Sequence, residues 1–164
     1  MLFRSVGMIE NNTMRTVATA NIRSFKAIDE YEFELELTSD LPEEIGVGAA
    51  LENLTWTPDV DIRNSFFGSC RARGLLVSTP GKVVIENNVF ESSGSAILIA
   101  GDANYWYESG AVKDVLIKGN DFRYPCMSSM YQFCEAIISI EPEIPQPDTK
   151  YPFQIGRASC RERV

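Results

Sequence analysis

Histidine is absent from the 164 residues of this sequence, and cysteine is scarce, with four residues. Because histidine is the main protein ligand of zinc, non-haem iron and copper, the usual sites for these metals lose their principal donor. The same absence excludes Ser-His-Asp and Cys-His catalysis within this segment. Any acid–base chemistry located here is therefore left to carboxylates.

The few cysteines predict neither a disulfide framework nor a metal site. Cys160 lies in the last ten residues, which leaves Cys70, Cys126 and Cys134. An odd number gives no paired framework, and the spacing between Cys126 and Cys134 suits neither a zinc knuckle nor a redox pair. We therefore expect structural, half-buried thiols, with no metal and no cofactor.

Basic runs and long apolar runs are also missing. The formal net charge is −8, and an acidic chain without a basic run repels phosphate backbones, so nucleic acid is not expected as a partner. No apolar run approaches the roughly 18 residues of a membrane span, and no signal peptide is evident, although a segment from inside a longer protein is not expected to retain one. Membrane insertion is therefore not expected.

The two ends of the chain resemble translated sequencing adapter. Residues 155–164 match ten adapter codons, and residues 1–5 match five codons of an adapter end read from a GTG start. We predict that only residues 6–154 are natural sequence, taken from inside a longer protein. That part carries a net charge of −11, from 11 basic and 22 acidic residues, once five charged residues are excluded: Arg4, Arg157, Arg161, Glu162 and Arg163.

One pattern, Val-x-Ile followed by a turn residue and Phe, occurs three times. Val and Ile two residues apart point to one face of a short strand, an Asn or Gly tolerates a left-handed turn, and Phe re-enters the same interior. Copies starting 23 residues apart predict the stacked coils of a solenoid. The predicted interior residues are Val60, Ile62, Phe67, Val83, Ile85, Phe90, Val115, Ile117 and Phe122. The predicted turn residues are Asn64, Asn87, Asn88 and Asn120.

The third copy follows the second after 32 residues, which predicts an extra loop of about nine residues at 101–110. Before the repeats, residues 31–37 alternate apolar side chains with glutamates, which predicts a half-buried antiparallel strand paired with residues 15–25. The predicted fold is all-β. Residues 6–54 form a small antiparallel module, and residues 55–154 form a right-handed parallel β-helix of about three coils.

Several blocks are similar to a known family. The segments 51–58 (LENLTWTP) and 106–117 (WYESGAVKDVLI), supported by 71–73 and 78–80, resemble the C-terminal half of the bacterial exo-α-galactosidases of glycoside hydrolase family 110. This resemblance implies a parallel β-helix enzyme that removes terminal α-1,3-linked galactose from oligosaccharides, with inversion and without a metal. It also implies a bacterial protein that is secreted, periplasmic or on the cell surface.

The catalytic carboxylates of that family include an adjacent Asp-Asp pair on coils that precede the antiparallel module. This sequence contains no Asp-Asp pair. The resemblance therefore assigns no catalytic residue to this chain and implies catalytic aspartates upstream of residue 6. We expect the 164 residues alone to be inactive and to supply scaffold and part of a sugar-binding wall.

Four residues of the predicted loop are candidate sugar ligands: Asp102, Asn104, Trp106 and Glu108. A pyranose offers an apolar C–H face to an aromatic ring, while its hydroxyls donate hydrogen bonds to carboxylate oxygens and accept them from amide N–H groups. The alternative is a loop folded over the helix, with its aromatic residues packed and Glu108 accepting backbone hydrogen bonds.

Arg71 and Arg73 share one face of an extended segment. They are candidates for binding sugar oxygens or orienting a carboxylate on a neighbouring coil. The alternative is a structural ion pair with Asp59, Asp61 or an upstream acid.

A second class of function stays open from the residues alone. A β-helix can belong to a polysaccharide lyase or depolymerase, or to a non-catalytic glycan-binding protein. A lyase needs a strong base, often beside calcium-binding acids, and the sequence contains no evident cluster of such acids. An adhesive helix is expected to show regular repeats without the aromatic loop.

Overall fold

The computed structural model describes residues 4–92, 94–108, 112–123 and 136–145, and these ranges contain strands and no helix. None of this part of the chain forms a helix long and apolar enough to cross a membrane. The strands are β1 (Ser5–Glu10), β2 (Arg15–Ala27), β3 (Phe33–Leu37), β4 (Ala50–Asn53), β5 (Val60–Arg63), β6 (Phe66–Cys70), β7 (Leu75–Val77), β8 (Lys82–Glu86), β9 (Val89–Ser92), β10 (Ile97–Gly101), β11 (Asp114–Lys118), β12 (Asp121–Phe122) and β13 (Ile138–Pro142).

The first four strands form an antiparallel sheet in the order β3-β2-β1-β4. Strand β1 lies between β2 and β4, which explains its apolar sequence: Val6, Met8 and Ile9 are each at most 1% exposed. Val6 and Met8 belong to one apolar cluster, and Ile9 belongs to a second that also contains Met14 and Ala103. The second cluster joins this antiparallel sheet to the loop that follows β10.

The predicted strand at residues 31–37 is present as β3, antiparallel to β2. Its burial differs from the prediction, because Tyr31 precedes the strand and is 83% exposed, and Phe33 is 53% exposed. Strand β1 pairs with β2 as far as Asn21, so the outer part of the β2–β3 hairpin extends beyond it. The rings there have little to pack against, whereas Leu37 packs on the first apolar cluster.

The nine strands after β4 form a parallel β-helix of three coils. Each coil supplies one strand to each of three parallel sheets, in the orders β11-β8-β5, β12-β9-β6 and β13-β10-β7. The register pairs residues of the same pattern position: Val83 pairs with Val60 and Val115, Ile85 with Ile62 and Ile117, and Phe90 with Phe67 and Phe122. The predicted fold class, a parallel β-helix preceded by an antiparallel sheet, is confirmed.

The interior of the β-helix consists of the repeated apolar residues. Ile85 and Phe90 are fully buried, and all nine predicted interior residues are buried or partly buried. The Phe67 and Phe90 ring centroids are 4.9 Å apart with planes 9° from parallel, and those of Phe90 and Phe122 are 5.4 Å apart at 22°. Removing a side chain the size of Phe90 from water stabilises the folded state by roughly 2–3 kcal/mol.

The turn after the first strand of each coil uses one backbone conformation. Asn64, Asn87 and Gly119 hold this position, and their φ angles of 51°, 57° and 64° are all left-handed. Such angles favour Gly and Asn, as predicted from the repeat. In the next position of the second and third coils, Asn88 and Asn120 are each 1% exposed and bond to neighbouring coils. The prediction that these asparagines form a turn ladder is confirmed.

Parts of the chain named in the sequence analysis lie outside the described residues. These are residues 1–3 and 155–164, which belong to the two predicted adapter segments, together with Cys126 and Cys134. Cys70 is a partly buried free thiol. Arg4 and Ser5 are ordered by hydrogen bonds from their backbone N–H groups to Thr55 Oγ1, each of 2.9 Å. The adapter origin of the ends stays a prediction.

Candidate functional site

The loop after β10 is organised by one buried carboxylate. Asp102 is 2% exposed, and its carboxylate accepts hydrogen bonds from the backbone N–H groups of Asn104 (2.8 Å), Tyr105 (2.8 Å) and Trp106 (2.7 Å). Its backbone carbonyl accepts a fourth, from Glu108 N–H at 2.9 Å. Burial raises the pKa of the Asp102 carboxyl, but the three N–H donors outweigh burial and hold the pKa below its ordinary value.

Asn104 connects this loop to two other segments. Its side-chain amide donates to the carbonyl of Asn11, between β1 and β2, at 2.9 Å, and to the carbonyl of Glu143, after β13, at 3.3 Å. The neighbouring Ala103 is 2% exposed and packs in the cluster of Ile9 and Met14. The base of the loop is therefore fixed to both the antiparallel sheet and the β-helix.

The three aromatic residues of the loop are exposed. Tyr105, Trp106 and Tyr107 are 74%, 69% and 71% exposed. The Tyr105 and Trp106 rings meet edge to face, with centroids 4.9 Å apart. Tyr107 adopts a left-handed φ of 54°, which is costly for a bulky residue and is kept only when surrounding contacts fix it.

A cleft of 390 Å³, here called the junction cleft, lies where the antiparallel sheet meets the β-helix. Four segments contribute its walls: β1 through Ile9, β4 with the chain that follows it, the turn before β8, and the loop after β10. Its lining residues are Ile9, Ala50, Leu51, Glu52, Asn53, Trp56, Thr57, Pro58, Ser78, Thr79, Pro80, Ala103, Tyr107 and Glu108.

The lining of the junction cleft combines carboxylates with aromatic rings. Glu52 and Glu108 supply acidic groups, and Trp56 and Tyr107 supply aromatic faces. A volume of this size is within the range of small-ligand sites, and this combination suits a sugar ring. Among the described residues, no group of three or more Cys, Asp or Glu is placed to hold a metal ion.

Glu108 is the one predicted sugar ligand that lines the junction cleft. Asp102 and Asn104 are engaged with backbone groups at the base of the loop, and Trp106 lies on the loop but is not a lining residue. The structure thus gives Asp102 and Asn104 an organising role, while their contact with sugar stays a prediction.

Arg71 and Arg73 follow β6 and are not lining residues of the junction cleft. Arg71 is exposed and Arg73 is partly buried. Of the acids considered as their partners, Asp61 forms an ion pair with Arg63 at 2.6 Å, and Asp59 accepts a hydrogen bond from the Lys82 backbone N–H at 2.7 Å. Sugar binding by the two arginines stays a prediction.

Sequence reasoning missed Glu52, Trp56 and Tyr107 as candidate site residues. A signal was present, because Glu52 and Trp56 belong to one of the two family-like blocks, and Tyr107 belongs to the other. The fold brings these blocks to the same cleft although all the strands of the first and second coils separate them in sequence. Their shared location could not be read from either block alone.

Comparison with known proteins identifies α-1,3-galactosidases as relatives of this chain. Over 149 residues, the chain is 70% identical to a protein from Bacteroides thetaiotaomicron named alpha-1,3-galactosidase B, a match that covers 91% of this chain and 24% of that protein. The chain belongs to the family of bacterial α-1,3-galactosidases. A Parabacteroides distasonis α-1,3-galactosidase B is 44% identical over 151 residues, covering 86% of this chain and 24% of the relative.

An α-1,3-galactosidase A from Bacteroides fragilis is 48% identical over 120 residues, covering 72% of this chain and 20% of the relative. The chain thus spans about a fifth to a quarter of the length of these α-1,3-galactosidases. No family model matches it. The resemblance first carried by two short blocks is confirmed over most of the chain.

Proposed function

We propose that the protein to which this chain belongs is an exo-α-1,3-galactosidase, which releases terminal α-1,3-linked galactose from glycans. Relatives of the chain are named α-1,3-galactosidases, one of them at 70% identity. The observation that supports a role for this segment is the junction cleft, because both family-like blocks line it. The chain would supply β-helix scaffold and part of the sugar-binding wall.

In this proposal the reaction proceeds with inversion of the anomeric carbon. An inverting glycosidase uses one carboxylic acid to protonate the departing oxygen and one carboxylate to deprotonate an attacking water. The sequence contains no Asp-Asp pair of the kind that the family resemblance implies. We therefore assign the proton transfers to aspartates outside this chain and predict that the 164 residues alone do not hydrolyse the substrate.

Within the junction cleft, Trp56 and Tyr107 would stack on the C–H face of a sugar, and Glu108 would accept hydrogen bonds from its hydroxyls. The proposal calls for no cofactor. It also places the protein where glycans are found, outside the cytoplasm, as a secreted, periplasmic or surface protein. Fractionation of the source bacterium, followed by immunodetection, tests the location.

The activity is tested in a galactosidase chimera, defined as the Bacteroides thetaiotaomicron relative carrying this chain's residues over the matched segment. Glu108→Gln and Trp56→Ala should each lower kcat/KM for an α-1,3-galactoside by about ten- to a hundred-fold, because a charged hydrogen bond or a stacking ring is lost. Trp106→Ala tests the earlier prediction for that residue and serves as a comparison with a tryptophan outside the cleft.

Substrate controls are the corresponding α-1,4- and α-1,6-galactosides, which the chimera should cleave poorly. Efficiency unchanged in both cleft variants, with circular dichroism intact, would remove the cleft from the sugar site and leave this segment as scaffold. A loss in Trp106→Ala alone would place the sugar on the outer side of the loop.

A further inference from the structure

We infer that Asp102 and Asn104 are positioning residues, which hold Tyr107 and Glu108 in the junction cleft and so set its affinity for sugar. This inference rests on the proposed function, because it concerns the same cleft. It differs in assigning the two polar residues to the backbone of the loop rather than to the substrate.

The first support is the convergence of backbone groups on Asp102. Three consecutive N–H groups, from Asn104 to Trp106, donate to one carboxylate at 2.7–2.8 Å, and Glu108 N–H donates to the Asp102 carbonyl at 2.9 Å. A carboxylate that accepts several N–H bonds is a stronger acceptor than a neutral group. The path of the backbone from Asp102 to Glu108 is therefore determined by one residue.

The second support is the strained backbone of Tyr107. A left-handed φ of 54° costs a non-glycine residue on the order of 1–2 kcal/mol, so the surrounding contacts must impose it. The bonds to Asp102 lie on both sides of Tyr107 in sequence, at Trp106 and at Glu108. These bonds fix the backbone on either side of Tyr107, so that Tyr107 and Glu108 line the cleft.

The third support is that the base of the loop is bonded to neighbouring segments. Asn104 bonds to the carbonyls of Asn11 and Glu143, and Ala103 packs with Ile9. Ile9 and Ala103 also line the junction cleft. The loop is thus held against the antiparallel sheet, which fixes its position at the junction cleft.

The test uses the galactosidase chimera with Asp102→Asn and Asn104→Ala. Each should raise KM for the α-1,3-galactoside by about tenfold and change kcat by less than about twofold, because misplaced wall residues weaken ground-state and transition-state binding alike. A purely structural role would lower the amount of folded enzyme, and hence kcat, without changing KM of the folded fraction.

The matched control is Asp29→Asn. The Asp29 carboxylate also accepts two backbone N–H bonds, from Tyr31 at 2.7 Å and Glu32 at 2.8 Å, but it lies in the β2–β3 turn and is not a cleft residue. This variant should leave KM unchanged. An equal rise of KM in Asp29→Asn would overturn the inference, because it would reflect general loosening of the chain.

A measurement without activity uses hydrogen exchange on the galactosidase chimera. The amides of Asn104, Tyr105 and Trp106 should be protected, and Asp102→Asn should accelerate their exchange by about tenfold or more, while the amide of Ile117 in β11 is unchanged. Unprotected amides in the unaltered chimera would overturn the inference.

The outcomes separate the inference from the proposed function. If Glu108→Gln and Trp56→Ala leave KM and kcat unchanged, the proposed sugar site fails and the positioning role fails with it. If those two variants weaken the chimera but Asp102→Asn and Asn104→Ala do not, the proposed function stands and the positioning inference alone is overturned.

Discussion

The side-chain amide of Asn88 adds hydrogen bonds between coils to those of the backbone. Its amide nitrogen donates to the Ile62 carbonyl at 2.9 Å and to Asn120 Oδ1 at 3.0 Å, and its oxygen accepts from Ser65 N–H at 2.9 Å. A buried amide with all of these partners stabilises the coil, whereas its removal leaves buried backbone groups unpaired. The ladder thus fixes the turn of each coil to its neighbour.

We therefore predict that Asn88→Ala lowers the stability of the galactosidase chimera by roughly 2–4 kcal/mol. The matched control is Asn87→Gly, at an exposed position whose φ of 57° suits glycine, and it should change stability by less than about 0.5 kcal/mol. Thermal unfolding of both variants measures the difference. Equal melting temperatures would show that the ladder adds nothing to the coil.

A second prediction at this scale concerns acid. The pKa of Asp102 is lowered in the folded state, since its N–H donors outweigh burial. A lowered pKa contributes stability above the unfolded-state value, and this is lost as pH falls through the folded value. The difference in unfolding free energy between the chimera and its Asp102→Asn variant should therefore stay constant near neutral pH and narrow as pH falls below about 5.

Glu10 offers a parallel case. Burial raises its pKa, but hydrogen bonds from Asn12 and Thr13 outweigh burial and lower it overall. Glu10→Gln should show the same narrowing toward acid. A difference that stays constant as pH falls in both variants would mean that these carboxylates do not stabilise the fold through their charge.

At the scale of elements, the turn between β7 and β8 passes very close to the chain before β5. A Cβ added at Gly81 would overlap the Pro58 carbonyl oxygen and lie 2.9 Å from its carbon. These are backbone atoms, which cannot rotate away as a side chain would. Pro58 and Pro80 both line the junction cleft, so this close approach also sets one of its walls.

Gly81→Ala is accordingly expected to destabilise the galactosidase chimera by roughly 1–3 kcal/mol and to raise KM, because the two segments must separate. Gly46→Ala is the control, since a Cβ there meets nothing within 4 Å. Differential scanning calorimetry with steady-state kinetics measures both effects. The same melting temperature for both variants would contradict the close packing of this turn.

The elements of the β-helix could be predicted because their cause is periodic. Alternating Val and Ile, a residue that accepts positive φ, and a following Phe are all visible in one sequence, and the register pairs the copies position by position. The roles of Asp102 and Asn104 could not be predicted, since a carboxylate in a loop can bond to backbone or to ligand. For Asn104 the positions of Asn11 and Glu143 in the fold decide between these, and for Asp102 the path of its own loop decides.

The junction cleft was hidden for a related reason. Glu52, Ser78 and Glu108 come from three distant segments, and their proximity depends on how the antiparallel sheet joins the β-helix. The exposure of Phe33 was missed because alternation predicts which face a side chain takes, not whether another element covers that face. Both failures concern contacts between elements rather than the elements themselves.

At the scale of the whole molecule, all three parallel sheets of the β-helix end at the strands of the first coil. Strands β5, β6 and β7 of the first coil each stand at an edge of their sheets. Edge strands present unpaired backbone groups and invite association. A repeat structure with such edges is stabilised by neighbouring coils more than by a single global core.

The 164-residue chain alone is therefore expected to self-associate and to unfold over a broad temperature range. Light scattering as a function of concentration, and the ratio of van't Hoff to calorimetric enthalpy, measure these properties. The galactosidase chimera is the comparison and should unfold more sharply. A soluble monomer of the 164 residues with a sharp, reversible two-state transition would contradict the expectation.

The stack of phenylalanine rings has a consequence for motion inside the coil. Phe90 lies between Phe67 and Phe122, at centroid distances of 4.9 and 5.4 Å, and is fully buried. A half-turn of its ring sweeps through space that both neighbours occupy, so all three coils must move apart for it to rotate. The protons on the two edges of the Phe90 ring should therefore give separate NMR signals, and the temperature at which these signals merge reports how often the coils move apart.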